Sequence, residues 1–184
     1  MNMQKGNQLA NRNILLKRKK RGCNVDFLQA LNSIDDSNYN FINYLSSCNS
    51  KRYLLAKKYY EESLCGDDSF LIRDFGETNY TNGNEFKNEK IKSLIKQTSN
   101  KELSDIELTE LLKYKCKSEK DFQLFIKYES ELDKGIVYLI DLYHMVIPTD
   151  KYGKGYIKKS NPEKDYERIK NKVGHKANLS DIKR

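Results

Sequence analysis

Apolar residues recur along much of this chain at steps of three and four. Val25, Leu28, Leu31 and Ile34 follow Gly22 in this way, and a segment beginning near Ser37 sets Phe41, Ile42, Leu45 and Cys48 along a second stripe. Such spacing gathers side chains on one face of a helix, so both stretches predict short helices. KRYLLAKKYYEESLC, 51–65, predicts a longer one, with Ser50 as its N-cap and Gly66 as the left-handed residue that stops it. Phe86, Lys90, Leu94 and Ile95 keep the helical spacing. Ser104 with Glu107 forms a capping box ahead of Leu108, Leu111 and Leu112, and Ser118 with Asp121 opens a further predicted helix carrying Phe122, Phe125, Ile126 and Leu132. Two capped helices joined by KYKCKS fit a helix-turn-helix outline, although the link lacks the glycine common in that turn. Asn161 and Pro162 stand at N-cap and N1 of a last helix, EKDYERIKNKV, which Gly174 closes.

Two stretches break the rhythm. FLIRDFGETNYTNGN, 70–84, has an apolar run, a glycine and then the turn pair Asn82-Gly83, which predicts an irregular or two-stranded insert. In GIVYLIDLYHMVIP, 135–148, Ile136, Leu139, Ile140, Tyr143 and Ile147 fit a helix, Val137, Leu142 and Met145 fill the other face, and the β-branched content favours a strand. The helix ended by Pro148 is the reading adopted. The fold class expected is therefore mainly α, a compact multi-helix domain with room for a small β-hairpin. Were 136–147 a strand, PTDKYGKG and YIKK would complete a basic hairpin, and the alternative is α+β and winged-helix-like. A chain of 184 residues suits one domain with tails. The divisions expected are a basic flexible N-terminal tail at 1–22, a helical core domain at 23–147 and a basic segment at 148–184 that ends in a helix and a short tail.

Composition makes that core lean, since 38% of residues are apolar, 33% are charged and Trp is absent. No run reaches the roughly eighteen apolar residues of a membrane span, and the basic N-terminus lacks the apolar stretch of a secretory signal. An intracellular protein is expected, cytoplasmic or, in a nucleated cell, nuclear, with no membrane partner. Cys23, Cys48, Cys65 and Cys116 include no C-x-x-C pair, and two histidines are too few to complete a zinc site around them. They read as reduced, mostly buried thiols, and neither metal nor cofactor is implied.

Charge changes the picture most. The net +8 divides unevenly: 1–22 holds seven cations and no acid, 148–184 eleven cations against five acids, and 23–147 sixteen cations against twenty-one acids. A slightly acidic body between two basic ends predicts a non-enzymatic nucleic-acid-binding protein, for DNA or RNA, whose terminal segments neutralise phosphates. Lys17, Arg18, Lys19, Lys20 and Arg21 are the first candidates. Lys151, Lys154, Lys158 and Lys159 are the second set, with Tyr152 and Tyr156 as stacking rings. On 51–65, Tyr53, Tyr59 and Tyr60 interleave with Lys51, Arg52, Lys57 and Lys58, a mixture that suits a nucleic-acid face or a half-buried amphipathic helix. A second class is a protein-interaction or regulatory module whose acidic core docks a protein partner, with KRKKR as a nuclear address. A third is a Mg²⁺-dependent nuclease, because Asp74 with Glu85 and Lys87 matches a D…E-x-K pattern that can hold a metal and steady a phosphate. His144, three residues after Asp141, is a candidate general base if that segment is helical.

Overall fold

A strand with hydrogen-bonded neighbours on both edges and cover on both faces has no polar side to display, and its sequence becomes an unbroken apolar run. That is the origin of GIVYLI. A computed structural model describes residues 24–44, 50–67, 69–78, 85–147, 162–172 and 177–183, and in it Lys134–Asp141 is a strand, β7, buried at every position after the first. It lies parallel to β1 (Asn24–Asp26) and antiparallel to β6 (Gln123–Glu129), and the sheet continues antiparallel through β5 (Leu112–Cys116) to β4 (Phe75–Thr78), in the order β1-β7-β6-β5-β4. The fold is thus α+β around a five-stranded mixed sheet, not mainly α.

The same burial explains the second correction. The helix expected after Ser118 is β6: Leu124, Ile126 and Tyr128 enter one core cluster while Phe125 enters the other. Apolar residues on both faces of a strand imitate helical spacing, and the helix-turn-helix outline falls with that helix; the α+β class of the alternative agrees with the strand at Lys134–Asp141, while the basic hairpin expected after it lies outside the described residues. Further upstream, Val25 lies in β1 and Leu28–Ala30 forms one tight helical turn. Phe41 and Ile42 form a strand, β3 (Phe41–Ile42), paired with β2 (Asp35–Asp36), and Asn40 takes the left-handed φ of 49° that the turn requires. Leu45, Cys48 and Asn82-Gly83 lie outside the described residues. From 70 onward, a short helix precedes β4, which pairs with β5 across a long sequence interval and forms no local hairpin within the described residues.

Each face of the sheet carries helices. On the first, α1 (Lys51–Leu64) and α2 (Phe70–Arg73) bring Tyr53, Tyr59, Phe70 and Leu71 against Leu112, Tyr114, Leu124 and Val137. The Ser50 hydroxyl accepts from the Tyr53 N–H at 3.2 Å. At the other end of α1, Gly66 at φ 75° lets its own N–H and that of Asp67 reach the Ser63 and Glu62 carbonyls, the double closure that left-handed glycine permits. Tyr59 stacks on Phe70 with ring centres 5.1 Å apart, so it is core and not a surface ring for bases. The chain's last turn, Leu179–Lys183, returns to this face through buried Leu179 and Ile182.

On the second face lie α3 (Glu85–Ser99), α4 (Asp105–Glu110) and α5 (Pro162–Lys172), which contribute Ile91, Leu94, Ile95, Leu108 and Tyr166 beside Phe41 and Ile42. Among the described residues no helix is long and apolar enough to cross a membrane. In the β6–β7 ladder Phe125 faces Leu139 but Ile126 faces Val137, so Tyr138 is an extra residue. This bulge turns both Tyr138 and Leu139 toward the second face, and the Thr98 hydroxyl of α3 donates to the Tyr138 carbonyl at 3.1 Å.

The expected capping box is present. The Ser104 hydroxyl accepts from the Glu107 N–H at 3.2 Å and the Glu107 carboxylate accepts from the Ser104 N–H at 2.9 Å. Beneath it, buried Lys127 lies 3.3 Å from Glu107, 3.6 Å from Glu110 and 3.2 Å from Glu129. Burial pushes the Glu107 carboxyl up, but Ser104 and the Lys127 ammonium outweigh it and hold the group at about 2, below its ordinary 4.5. A depressed carboxyl stabilises the fold above its unfolded value and loses that contribution as pH falls toward the folded one, so stability should decline between 4.5 and about 2. Glu107→Gln should flatten that decline and cost about 1 kcal/mol near neutrality, the order of a lost cap, in urea unfolding followed across pH. An unchanged acid limb would contradict the assignment.

Candidate functional site

Strand alternation fixes which side chains share a face. Leu112, Tyr114 and Cys116 of β5 enter the first-face core, so Lys113 and Lys115, both half-buried, point to the second. Register then aligns them: Lys115 stands opposite Gln123, and Gln123 opposite Asp141, while Lys113 stands opposite Phe125. A polar row, Lys115, Gln123, Asp141, therefore crosses three strands on the second face, with Lys113 one step along it.

Asp141 ends the row and begins a loop. Its carboxylate is fully buried and accepts from the backbone N–H groups of Tyr143 at 3.2 Å, Met145 at 2.9 Å and Val146 at 2.8 Å. Wrapping a backbone around one carboxylate forces a sharp turn, and His144 carries it at φ 59°, a left-handed conformation that histidine tolerates better than most residues. Buried Lys90 of α3 donates to the Met145 carbonyl at 2.7 Å, so the loop is held from both its donors and its acceptors. Burial raises the Asp141 carboxyl, against the pull of the Val146 and Met145 N–H groups and of His144. Tyr143 fixes the outer side, with its hydroxyl donating to the Tyr44 carbonyl at 3.1 Å and its ring 4.7 Å beneath the Arg52 guanidinium.

Like charges converge here. Burial lowers the Lys113 ammonium, and Lys115 lowers it further while Asp141 opposes. Burial also lowers the His144 imidazole; Asp141 and Asp121 oppose, and Lys115 and Lys113 add to the lowering. Three nitrogen bases thus feel one another across one end of the second face. Beside them Gln123 is wholly buried, and neither its amide nitrogen nor its amide oxygen has a hydrogen-bond partner.

The residues expected from sequence to meet phosphate, Lys17, Arg18, Lys19, Lys20, Arg21, Lys151, Tyr152, Lys154, Lys158 and Lys159, with Tyr156, lie outside the described residues. The cations of α1 are engaged by acids: Lys51 and Arg52 pair with Glu119, Arg52 with Asp121 and Lys58 with Asp74. Asp74 is also bound by the Arg73 guanidinium at 2.9 Å, while Glu85 and Lys87 are exposed on the first turn of α3. Among the described residues no group of three or more His, Cys, Asp or Glu side chains is arranged to hold a metal ion. Cys116 is buried and Cys65 exposed, both as free thiols; Cys23 and Cys48 lie outside the described residues. Asp141 and His144 do come together, through a turn and not a helix. Lys113, Lys115 and Gln123 escaped the sequence reading, although the alternation in LKYKC was a visible signal.

A base whose folded pKa is depressed stabilises the fold above its unfolded value and loses that contribution as pH falls. Stability should therefore decline below His144's ordinary 6.5. His144→Asn keeps a residue suited to left-handed backbone and should remove part of the decline, read as urea midpoints across the same pH steps. Parallel declines in the two proteins would refute the burial of the imidazole.

No family model, curated protein or solved structure matches this chain, which leaves geometry and charge as the grounds for its function.

Proposed function

We propose that this protein binds nucleic acid without catalysing a reaction, using its basic terminal segments for phosphate contacts. Phosphate neutralisation by lysine and arginine supplies affinity that depends little on sequence and strongly on salt. The supporting observation is the distribution of charge along the chain. The cation-rich stretch 148–161 lies in the sequence between Ile147 and α5, and Ile147 and Tyr166 pack in the core cluster of the second face. The α5 anchor is strong: Tyr166 donates a hydrogen bond to Asp35, which also accepts from the Tyr44 hydroxyl at 3.1 Å and pairs with Lys170 at 3.4 Å. Burial pushes the Asp35 carboxyl up, but these partners outweigh it and keep it below its usual range, and so charged. In the sequence Lys151, Lys154, Lys158 and Lys159 stand between Ile147 and α5.

Removing residues 1–22 should leave the core intact and flatten the salt dependence on duplex DNA by about 4 to 5 units of log-log slope if all five cations of Lys17 to Arg21 bind. Replacing Lys151, Lys154, Lys158 and Lys159 by glutamine should flatten it by up to about 3 to 4 units. Labelled duplex DNA and RNA titrated at several salt concentrations read both. Absence of binding to either polymer at low salt would sink the proposal.

A further inference from the structure

Among the described residues β1 has no further strand beside it, and at this edge of the sheet a cavity of about 320 Å³ opens between β1 and the last turn of α1. Tyr60 and Leu64, four positions apart and so on one face of α1, line it together with Val25 of β1 and the adjoining Phe27, both buried. Asn24 is exposed and Leu64 is 65% exposed, so the cavity is open to solvent. Its polar groups are unmatched. Tyr60 is only 8% exposed, and a phenol so enclosed ordinarily finds a partner, yet its hydroxyl, the Asn24 amide and the Lys134 ammonium have no hydrogen-bond or ion-pair partner among the described residues. A few such groups in a concave, largely apolar site are what orients a bound molecule.

The lining selects the chemistry. Asp26 and Lys134 bring opposite charges to the one cavity, so the group that enters it is neutral. The Asn24 amide and the Tyr60 hydroxyl each offer both a donor and an acceptor, which an aliphatic side chain would leave unmet. A planar ring with donors and acceptors on its edge and apolar faces answers the whole lining, and a nucleobase is such a ring. The cation run Lys17 to Arg21 ends three residues before Asn24, and three Cα steps of about 3.8 Å span at most about 11 Å. We propose that this cavity receives one unpaired base of a single-stranded nucleic acid whose phosphates meet those cations. The Asn24 amide and the Tyr60 hydroxyl hydrogen-bond the edge of the base, while Val25, Phe27 and Leu64 cover its faces. A base within a duplex has its edge paired and its faces stacked, so the site selects single strands. The inference rests on the nucleic-acid reading for the phosphates, whereas the base chemistry follows from the cavity itself.

The test titrates the full-length protein with two single-stranded oligonucleotides of equal length, one carrying its bases and one abasic throughout with the same phosphates. The strand with bases should bind about fivefold or more tightly, the lower end of what one base contact contributes. Asn24→Ala and Tyr60→Phe, the second of which keeps the ring and its packing, should each weaken that strand several-fold and leave the abasic strand as it was. The salt slope should not change in either variant, because it counts phosphate contacts. A residue that served only the fold would not separate the two strands in this way. Equal binding of both strands, or a preference that both variants retain, overturns the base site and leaves the reading based on the terminal segments in place. If neither strand binds, that reading falls and free nucleosides decide: adenosine and cytidine at millimolar concentration should shift the Tyr60 ring and Asn24 amide resonances in NMR spectra. Unmoved resonances overturn the site and leave the cavity to an apolar side chain of a protein partner. If Asn24→Ala fails to fold, Tyr60→Phe decides by the same comparison of strands.

Discussion

The Asp141 carboxylate is the joint on which the second face depends. Burying a carboxylate is costly unless hydrogen bonds replace its water, and here the replacement comes from the backbone of the next five residues. The chain must double back over the end of β7 to deliver those N–H groups. That single requirement stops the strand, places His144 in left-handed backbone, and turns the Met145 carbonyl toward Lys90 of α3. Helix, loop and strand are then one unit, to which Thr98 adds a further bond at the Tyr138 bulge.

A sheet covered on both faces leaves few places where a polar side chain can serve anything but the fold. On the second face the Lys127 end is closed by α4 and its acids, and Glu129 is further bound by the Tyr138 hydroxyl at 2.5 Å. The other end carries half-buried Lys113 and Lys115 beside wholly buried Gln123, whose amide has no hydrogen-bond partner.

What was legible in the sequence was what neighbouring residues decide. Ser50 and Gly66 bound α1, and Ser104 with Glu107 opens α4, because a cap is a bond between residues a few positions apart. The strands were illegible for a reason that is not local. Burial on two faces erased the alternation in β6 and β7, and the partner of β4 lies beyond two intervening helices. Lys113, Lys115 and Gln123 acquire meaning only through register, which no single segment carries. Asp141 and His144 attracted notice for their helical spacing, yet His144 lies in the turn that Asp141 itself organises. The tyrosines of α1, read as either stacking rings or core, proved to be core because α2, β4 and Phe122 close over Tyr59.

The direct measurement is amide hydrogen exchange, residue by residue, in the full-length protein under native conditions. If Asp141 gathers the loop as its carboxylate geometry requires, the Met145 and Val146 amides should exchange as slowly as those in the middle of β7, such as Leu139, although both lie beyond the last ladder bond of that strand. Fast exchange at Met145 and Val146 beside a protected Leu139 would mean that the loop is not held by Asp141, and the site built on it would not exist.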